Sequence, residues 1–268
     1  RIIVHCHNSG NDESPLRTFV HKINRKRILD YVTDCWSCSD DASEWFFGRP
    51  IAELPNYLML PNSINPDKYR FNENSRKELR KELGIDEREL VLGNVGRLVP
   101  QKNQQFLIDL LPSLLKKLPN LLLALVGSGR LRKELEHKAL DLGVDSHVRF
   151  LGVRTDVDKL YSVFDVFVFP SLFEGLPEAL IEAQANGLAC LVSTEVPRAA
   201  RVTDKCSYLE LQPEAWIDSI LKLRPGYSRE SGYRQMRDSR YNLEESKSMF
   251  SHALLKGINR TKVFSGQR

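Results

Sequence analysis

With 268 residues, 41% of them hydrophobic and 28% charged, the chain has a soluble globular composition and room for one large domain or two smaller ones. A net charge of +4, with an isoelectric point near 8.7, is too mild to call for a nucleic-acid partner. The longest apolar runs, such as residues 121–127, fall well short of a bilayer span, and no signal-peptide pattern opens the chain.

The chain starts at Arg1 on the strand-like "IIVHCH". A domain that begins inside a core strand implies an upstream part. Residues 15–28 read as a helix carrying Arg17, Lys22, Arg25, Lys26 and Arg27 beside Leu16, Phe19, Val20 and Ile23. A second strand falls within 30–39, a short helix at 41–48 and a third strand at 57–62. The polar, Asn- and Pro-rich stretch 62–75 suits an interdomain linker, and 76–84 a charged helix closed by Gly84. Five cysteines without scaffold spacing point to a reducing, cytoplasmic compartment. "CWSC" (35–38) lacks both a second ligand pair for zinc and a thioredoxin-like context, so its spacing reads as coincidental. Cys190 belongs to an apolar strand and reads as core.

From residue 89 a regular alternation begins. Strand-like runs at 89–96, 121–127, 148–152, 166–170 and 189–193 are separated by helix-period segments at 103–118, 130–143, 157–164 and 177–187. Continuous apolar strands alternating with amphipathic helices predict a parallel, doubly wound α/β sheet. Pro112 is expected to interrupt and kink the first of these helices. Beyond Pro213 the chain reads as polar and helical, ending in a helix over 240–257. No internal repeat is visible.

"EGLPEALIE" places Glu174 and Glu182 eight residues apart at the mouth of a helix. In open α/β sheets ligands bind beyond the carboxyl ends of the strands, where "VFVFPS" delivers this loop. Gly175 permits close backbone approach. Pro177 suits the first helical turn, and the N–H groups of Leu176, Glu178 and Ala179 would offer a diphosphate a seat at the helix N-terminus. Glu174 would then reach a ligand beyond the phosphates, Glu182 would meet ribose hydroxyls, and Glu178 would complement the helix dipole. The alternative is that all three merely decorate a helix start. "GNVGRLVPQKN" brings Arg97 and Lys102 to the same edge, where two cations would clamp a departing diphosphate. A glycine-rich turn at Gly127 and the loop with Val153 and Arg154, which could flank a base, leave strands at that edge too. The glycine-rich turn fits neither a Walker pattern nor G-x-G-x-x-G.

"LPNSINPDKY", "GRLVPQKN", "LVGSGRLR", "VRFLGVRTDV" and "DVFVFPSLFEGLPEALIEAQANGLACLVS" together resemble, in order and spacing, the group 1 retaining glycosyltransferases of the GT-B fold. The resemblance spans almost the whole chain and is nearest the bacterial capsule and exopolysaccharide enzymes. It implies a complete C-terminal Rossmann-like domain over 63–238, part of an acceptor-side Rossmann-like domain over 1–62, and a C-terminal helix in 239–268 packing back toward that domain. It assigns Glu174 to the donor sugar, Glu182 to the ribose, Arg97 and Lys102 to the phosphates, the backbone after Gly175 to phosphate contacts, and Val153 and Arg154 to the region of the base. His7 matches a histidine facing the donor sugar. Ser63 and Asn65 stand where the family usually has Gly and Asp, and Ala189 replaces a common Pro.

The implied reaction moves a sugar, with retention, from a nucleotide diphosphate sugar to an acceptor hydroxyl on a saccharide or lipid-linked saccharide. Family habit favours a UDP-sugar. No cofactor is implied and no metal, because cations and backbone donors take its place. Against the family, the first part of the acceptor-side domain is missing, so a separate chain supplying it is one expectation. Three rival readings stay open. One is a nucleotide-sugar epimerase, another a non-catalytic accessory subunit. The third is a peripheral role at the inner face of a membrane, served by the basic helix 15–28, against which an ordinary solvated helix is weighed.

Overall fold

A computed structural model of the chain describes residues 1–6, 15–48, 51, 53–223 and 226–256. These form two compact units. The first holds residues up to Ile64 and those from Arg240 onward; the second runs from Asn65 to Ser239.

In the first unit, β1 (Ile3–Cys6), β2 (Asp34–Ser37) and β3 (Tyr57–Met59) make a parallel sheet in the order β1-β2-β3, with α1 (Pro15–Tyr31) and α2 (Asp40–Phe46) between its strands. Ser39 caps α2 by accepting the Ala42 N–H at 3.1 Å. Trp36, Leu58 and Leu60 pack with Ala253 of α11 (Leu243–Lys256), and Phe250 of that helix stands edge-on to Trp36 at 5.6 Å. The "CWSC" segment is part of this interior: Cys35 and Cys38 are buried, and burial pushes the Cys35 thiol up to about 11. A thiol so far from ionisation is packing material rather than a nucleophile.

The second unit begins with α3 (Pro66–Tyr69) and α4 (Glu73–Glu82). Then follow β4 (Leu90–Val95), α5 (Gln104–Leu115), β5 (Leu121–Val126), α6 (Arg132–Asp141), β6 (Val148–Gly152), α7 (Val157–Val163) and β7 (Val166–Phe169). It closes with α8 (Glu178–Ala185), β8 (Ala189–Ser193), β9 (Cys206–Leu209), α9 (Pro213–Lys222) and α10 (Glu230–Arg237). All six strands are parallel, in the order β6-β5-β4-β7-β8-β9. In the unit's own count that is 3-2-1-4-5-6, the doubly wound order, with its switch point between β4 and β7. β5 and β7 are buried along their whole length, which is why they read as unbroken apolar runs. Among the described residues, no helix is long and apolar enough to cross a membrane.

Several elements differ from the sequence expectation. The stretch taken as a linker contains α3 and the start of α4, because its asparagines are helix caps. Asn65 accepts from Asp67 N at 3.0 Å and Asn72 from Ser75 N at 2.8 Å. An aspartate at position 65 would fill the same role. α5 runs through Pro112 to Leu115. β9, an edge strand of four residues with Ser207 exposed, is too short and too mixed to announce itself. α9 is not simply polar: Trp216 is fully buried, stands edge-on to Phe106 at 5.4 Å and donates its indole N–H to Glu210 O at 2.9 Å.

Asp165, in the turn that feeds β7, ties the unit together. Its Oδ1 accepts from Arg76 Nη2 at 2.6 Å and its Oδ2 from Val91 N at 2.8 Å, with Arg80 Nη1 at 3.5 Å. Arg80 is 3% exposed. Asp165→Ala leaves that guanidinium without its counter-charge, so chemical denaturation should show a loss of about 3–5 kcal/mol.

Candidate active site

The loops after β4 and β7 flank the switch point, and they are fastened to each other. Leu172 N donates to Gln101 O at 2.8 Å, Gln101 Nε2 to Phe173 O at 2.9 Å and Asn103 Nδ2 to Pro170 O at 3.3 Å. Asn103 makes the turn into α5 with φ at 51°, a left-handed conformation that asparagine tolerates. Gln104 braces the loop from beneath, donating to Arg97 O at 3.0 Å and Asn94 Oδ1 at 3.2 Å.

This fastening brings Lys102 and Glu174 into an ion pair, with Nζ to Oε1 at 2.6 Å. The two side chains are 14% and 7% exposed, and the ammonium also lies 5.1 Å from the centre of the Phe169 ring. Removal from water strengthens the attraction between the two charges and makes either one costly to leave without the other. Arg97, on the same loop, is exposed. Leu172 and Phe173 are exposed beside Glu174.

Pro177 is the N-cap of α8 rather than a residue of its first turn, and its carbonyl accepts from Leu180 N and Ile181 N. The N–H groups of Glu178 and Ala179 therefore stand at the open, positive end of the helix, with Gly175 and Leu176 just before it. Glu178 is exposed. Glu182, farther along α8, is held between two tyrosines. Tyr69 Oη donates to Oε1 at 2.8 Å, and Tyr161 Oη to Oε2 at 2.7 Å. Burial pushes the Glu182 carboxyl above its usual value and the two hydroxyls pull it back.

The neighbouring loops are fitted to the same edge. Gly127 has φ at 130°, and a Cβ there would overlap the Gly96 carbonyl oxygen. Its N–H donates to Gly152 O at 2.7 Å. Gly127→Ala should cost at least ~1 kcal/mol, lowering the thermal midpoint by a few degrees. Val153 is 75% exposed at the end of β6. Arg154 is turned onto Asp156, with bonds of 2.9 and 2.8 Å, and onto Glu82 at 3.2 Å; these carboxylates push its pKa up. His7 lies outside the described residues.

Thus Lys102 and Glu174 meet beside the switch point, on chain segments that also carry Arg97, Gly175, Leu176 and Glu178, while Glu182 pairs with Tyr69 and Tyr161 and Arg154 with Asp156 and Glu82. Gln101, Asn103, Tyr69 and Tyr161 were not singled out in the sequence. Tyr69 lies 113 positions from Glu182, and no local spacing connects them.

A doubly wound parallel sheet with cations and a helix N-terminus at its switch point defines an α/β protein built to hold a ligand beyond its strand ends. The model of the family described as glycosyl transferases group 1 matches residues 75–221, more than half of the chain, and the chain belongs to that family. A Bacillus subtilis protein named as a glycosyltransferase, EpsF, is 35% identical over 199 residues, 72% of this chain and 51% of that protein. An Escherichia coli protein named UDP-Gal:alpha-D-GlcNAc-diphosphoundecaprenol alpha-1,3-galactosyltransferase is 34% identical over 140 residues, 50% of this chain and 36% of its own. The chain spans about half or less of the length of these curated relatives. Among solved structures, Anabaena HepE in complex with UDP and glucose aligns with a TM-score of 0.78 at 20% identity, covering 94% of this chain and 70% of that one. The fold is of the GT-B type.

Proposed function

We propose that the chain carries the donor site of a retaining glycosyltransferase that uses a nucleotide diphosphate sugar, with a UDP-sugar favoured. The observation that carries this is the Lys102–Glu174 ion pair beside the open N-terminus of α8, at the switch point of the sheet. Lys102, Arg97 and the N–H groups at the start of α8 provide positive charge where a diphosphate would sit. Glu174 would lie toward the donor sugar and Glu182 toward the ribose. In the reaction, the bond from the anomeric carbon to the diphosphate oxygen breaks with its electron pair going to the diphosphate. The acceptor oxygen bonds to that carbon on the face the diphosphate leaves, and the acceptor proton passes to the departing phosphate. Fixed cations and backbone donors supply the charge that a divalent metal would otherwise bring, so the reading is metal-independent.

HepE was solved with UDP and glucose, and the E. coli relative is named for UDP-Gal and a diphosphoundecaprenol acceptor. Both favour a UDP-sugar, and the second a lipid-linked saccharide acceptor. Helix α1 suits such an acceptor, because Phe19, Val20 and Ile23 are exposed beside exposed Lys22 and Arg27. Vesicles containing anionic lipid should therefore sediment the protein, and Phe19→Ser/Ile23→Ser should release it. The reaction itself is tested by NMR of the sugar freed or transferred from UDP-glucose, UDP-galactose and UDP-N-acetylglucosamine in excess EDTA. The first-formed product should keep the donor's anomeric configuration. Inverted product, or turnover that requires an added divalent metal, would overturn the reading.

A further inference from the structure

The Glu182 carboxylate is not a loose helix side chain. Each of its oxygens receives one tyrosine hydroxyl, Oε1 from Tyr69 at 2.8 Å and Oε2 from Tyr161 at 2.7 Å. A carboxylate oxygen has two acceptor positions, so one remains on each oxygen. Two remaining acceptor positions, one on each oxygen, match in number a vicinal pair of hydroxyls, the 2′ and 3′ groups of a ribose.

The tyrosines differ in what else they do. Tyr161 is fully buried and also lies 3.2 Å from Ala179 O, so it belongs to the packing of α7 against α8. Tyr69 is half-buried at the end of α3. Its backbone is anchored independently, because Asn186 Nδ2 donates to Tyr69 O at 2.8 Å and Pro66 at the start of the helix is buried. Removing the Tyr69 hydroxyl therefore changes the carboxylate without releasing the segment.

We propose that Tyr69 is a positioning residue for ribose recognition: its hydroxyl fixes the plane of the Glu182 carboxylate, so that both free acceptor positions face the two ribose hydroxyls. The inference rests on the nucleotide-binding reading above and adds to it the residue that sets ribose selectivity. Two effects act together. The hydroxyl fixes one oxygen in space, so the carboxylate loses little freedom when a ribose arrives. It also favours the ionised acid in a half-buried site, where a protonated acid would offer a donor in place of an acceptor. Lys68 assists in this, while Glu178 opposes it. The Tyr69 hydroxyl is itself kept protonated by its burial and by Glu182, so it remains a donor.

The test is calorimetric binding of UDP, GDP and their 2′,3′-dideoxy forms to the wild-type chain and to Tyr69→Phe, with thermal melting of both proteins. The wild type should prefer the ribonucleotide about ten- to hundredfold. Tyr69→Phe should lower that preference at least about fivefold through weaker ribonucleotide binding, with affinity for the dideoxy form held within about twofold. An equal loss for both forms would show a purely structural role and overturn the proposal. So would an unchanged preference, or a wild type without one. Failure of the wild type to bind any of these nucleotides would overturn the nucleotide-binding reading itself, and this inference with it.

Discussion

Glu174→Ala should lower the rate of sugar transfer by about 10²–10³-fold, the scale set by removing one preorganised charge from a transition state. UDP affinity should stay within about threefold of wild type or improve. The ion pair explains the split. Glu174 holds the Lys102 ammonium at 2.6 Å, and a diphosphate seated on Lys102 would compete with that carboxylate. Deleting the carboxylate frees the cation for the phosphate, whereas the reacting carbon would lose the acidic group proposed to face it. The measurement is kcat for nucleotide-sugar turnover beside a UDP titration of the same preparation. Wild-type turnover in Glu174→Ala, or UDP binding lost in step with turnover, would show that the carboxylate has no role at the sugar.

Lys102→Ala should act on both quantities. It removes the most sheltered cation of the site, so UDP binding should weaken about ten- to hundredfold and kcat/KM should fall by about 10³-fold. It also leaves the 7% exposed Glu174 side chain with no counter-charge, so part of its effect should be lost stability on the scale of a broken buried pair, ~3 kcal/mol. The double variant Lys102→Ala/Glu174→Ala separates the two. Stability should return toward wild type because no unpaired charge remains, while UDP binding should stay weak. Lys102→Arg should keep binding better than alanine, since the charge is retained, but a planar fork cannot occupy the place of a point charge over Phe169 without rearrangement.

The second unit was legible because its strands are doubly covered. Runs such as "LLLALV" are apolar without interruption only when helices shield both faces, and their alternation with amphipathic segments fixes a parallel sheet. The glutamate loop was legible for the same reason: a strand ending in Pro170 and Ser171, then Gly175 and Pro177, marks a chain leaving the sheet edge for a helix. What stayed hidden depends on distance along the chain. Asn65 and Asn72 look like loop residues until the helices they cap are seen. Gln101 is an unremarked loop side chain until its amide meets Phe173 O, 72 positions away. The tyrosines on Glu182 come from α3 and α7, and nothing in the local pattern of either helix marks the hydroxyl as functional. The family resemblance assigned Glu182 to a ribose, but only the fold shows the two tyrosine hydroxyls bonded to its carboxylate.

This edge of the sheet is proposed to seat a nucleotide diphosphate on Lys102, Arg97 and the start of α8 without a metal. Calorimetric titration of UDP into the chain in excess EDTA, repeated with Arg97→Ala/Lys102→Ala, decides whether it does. Saturable binding in EDTA that the double variant weakens at least tenfold is the predicted result. Binding that appears only when a divalent metal is restored, or that is equally tight in the double variant, would contradict it.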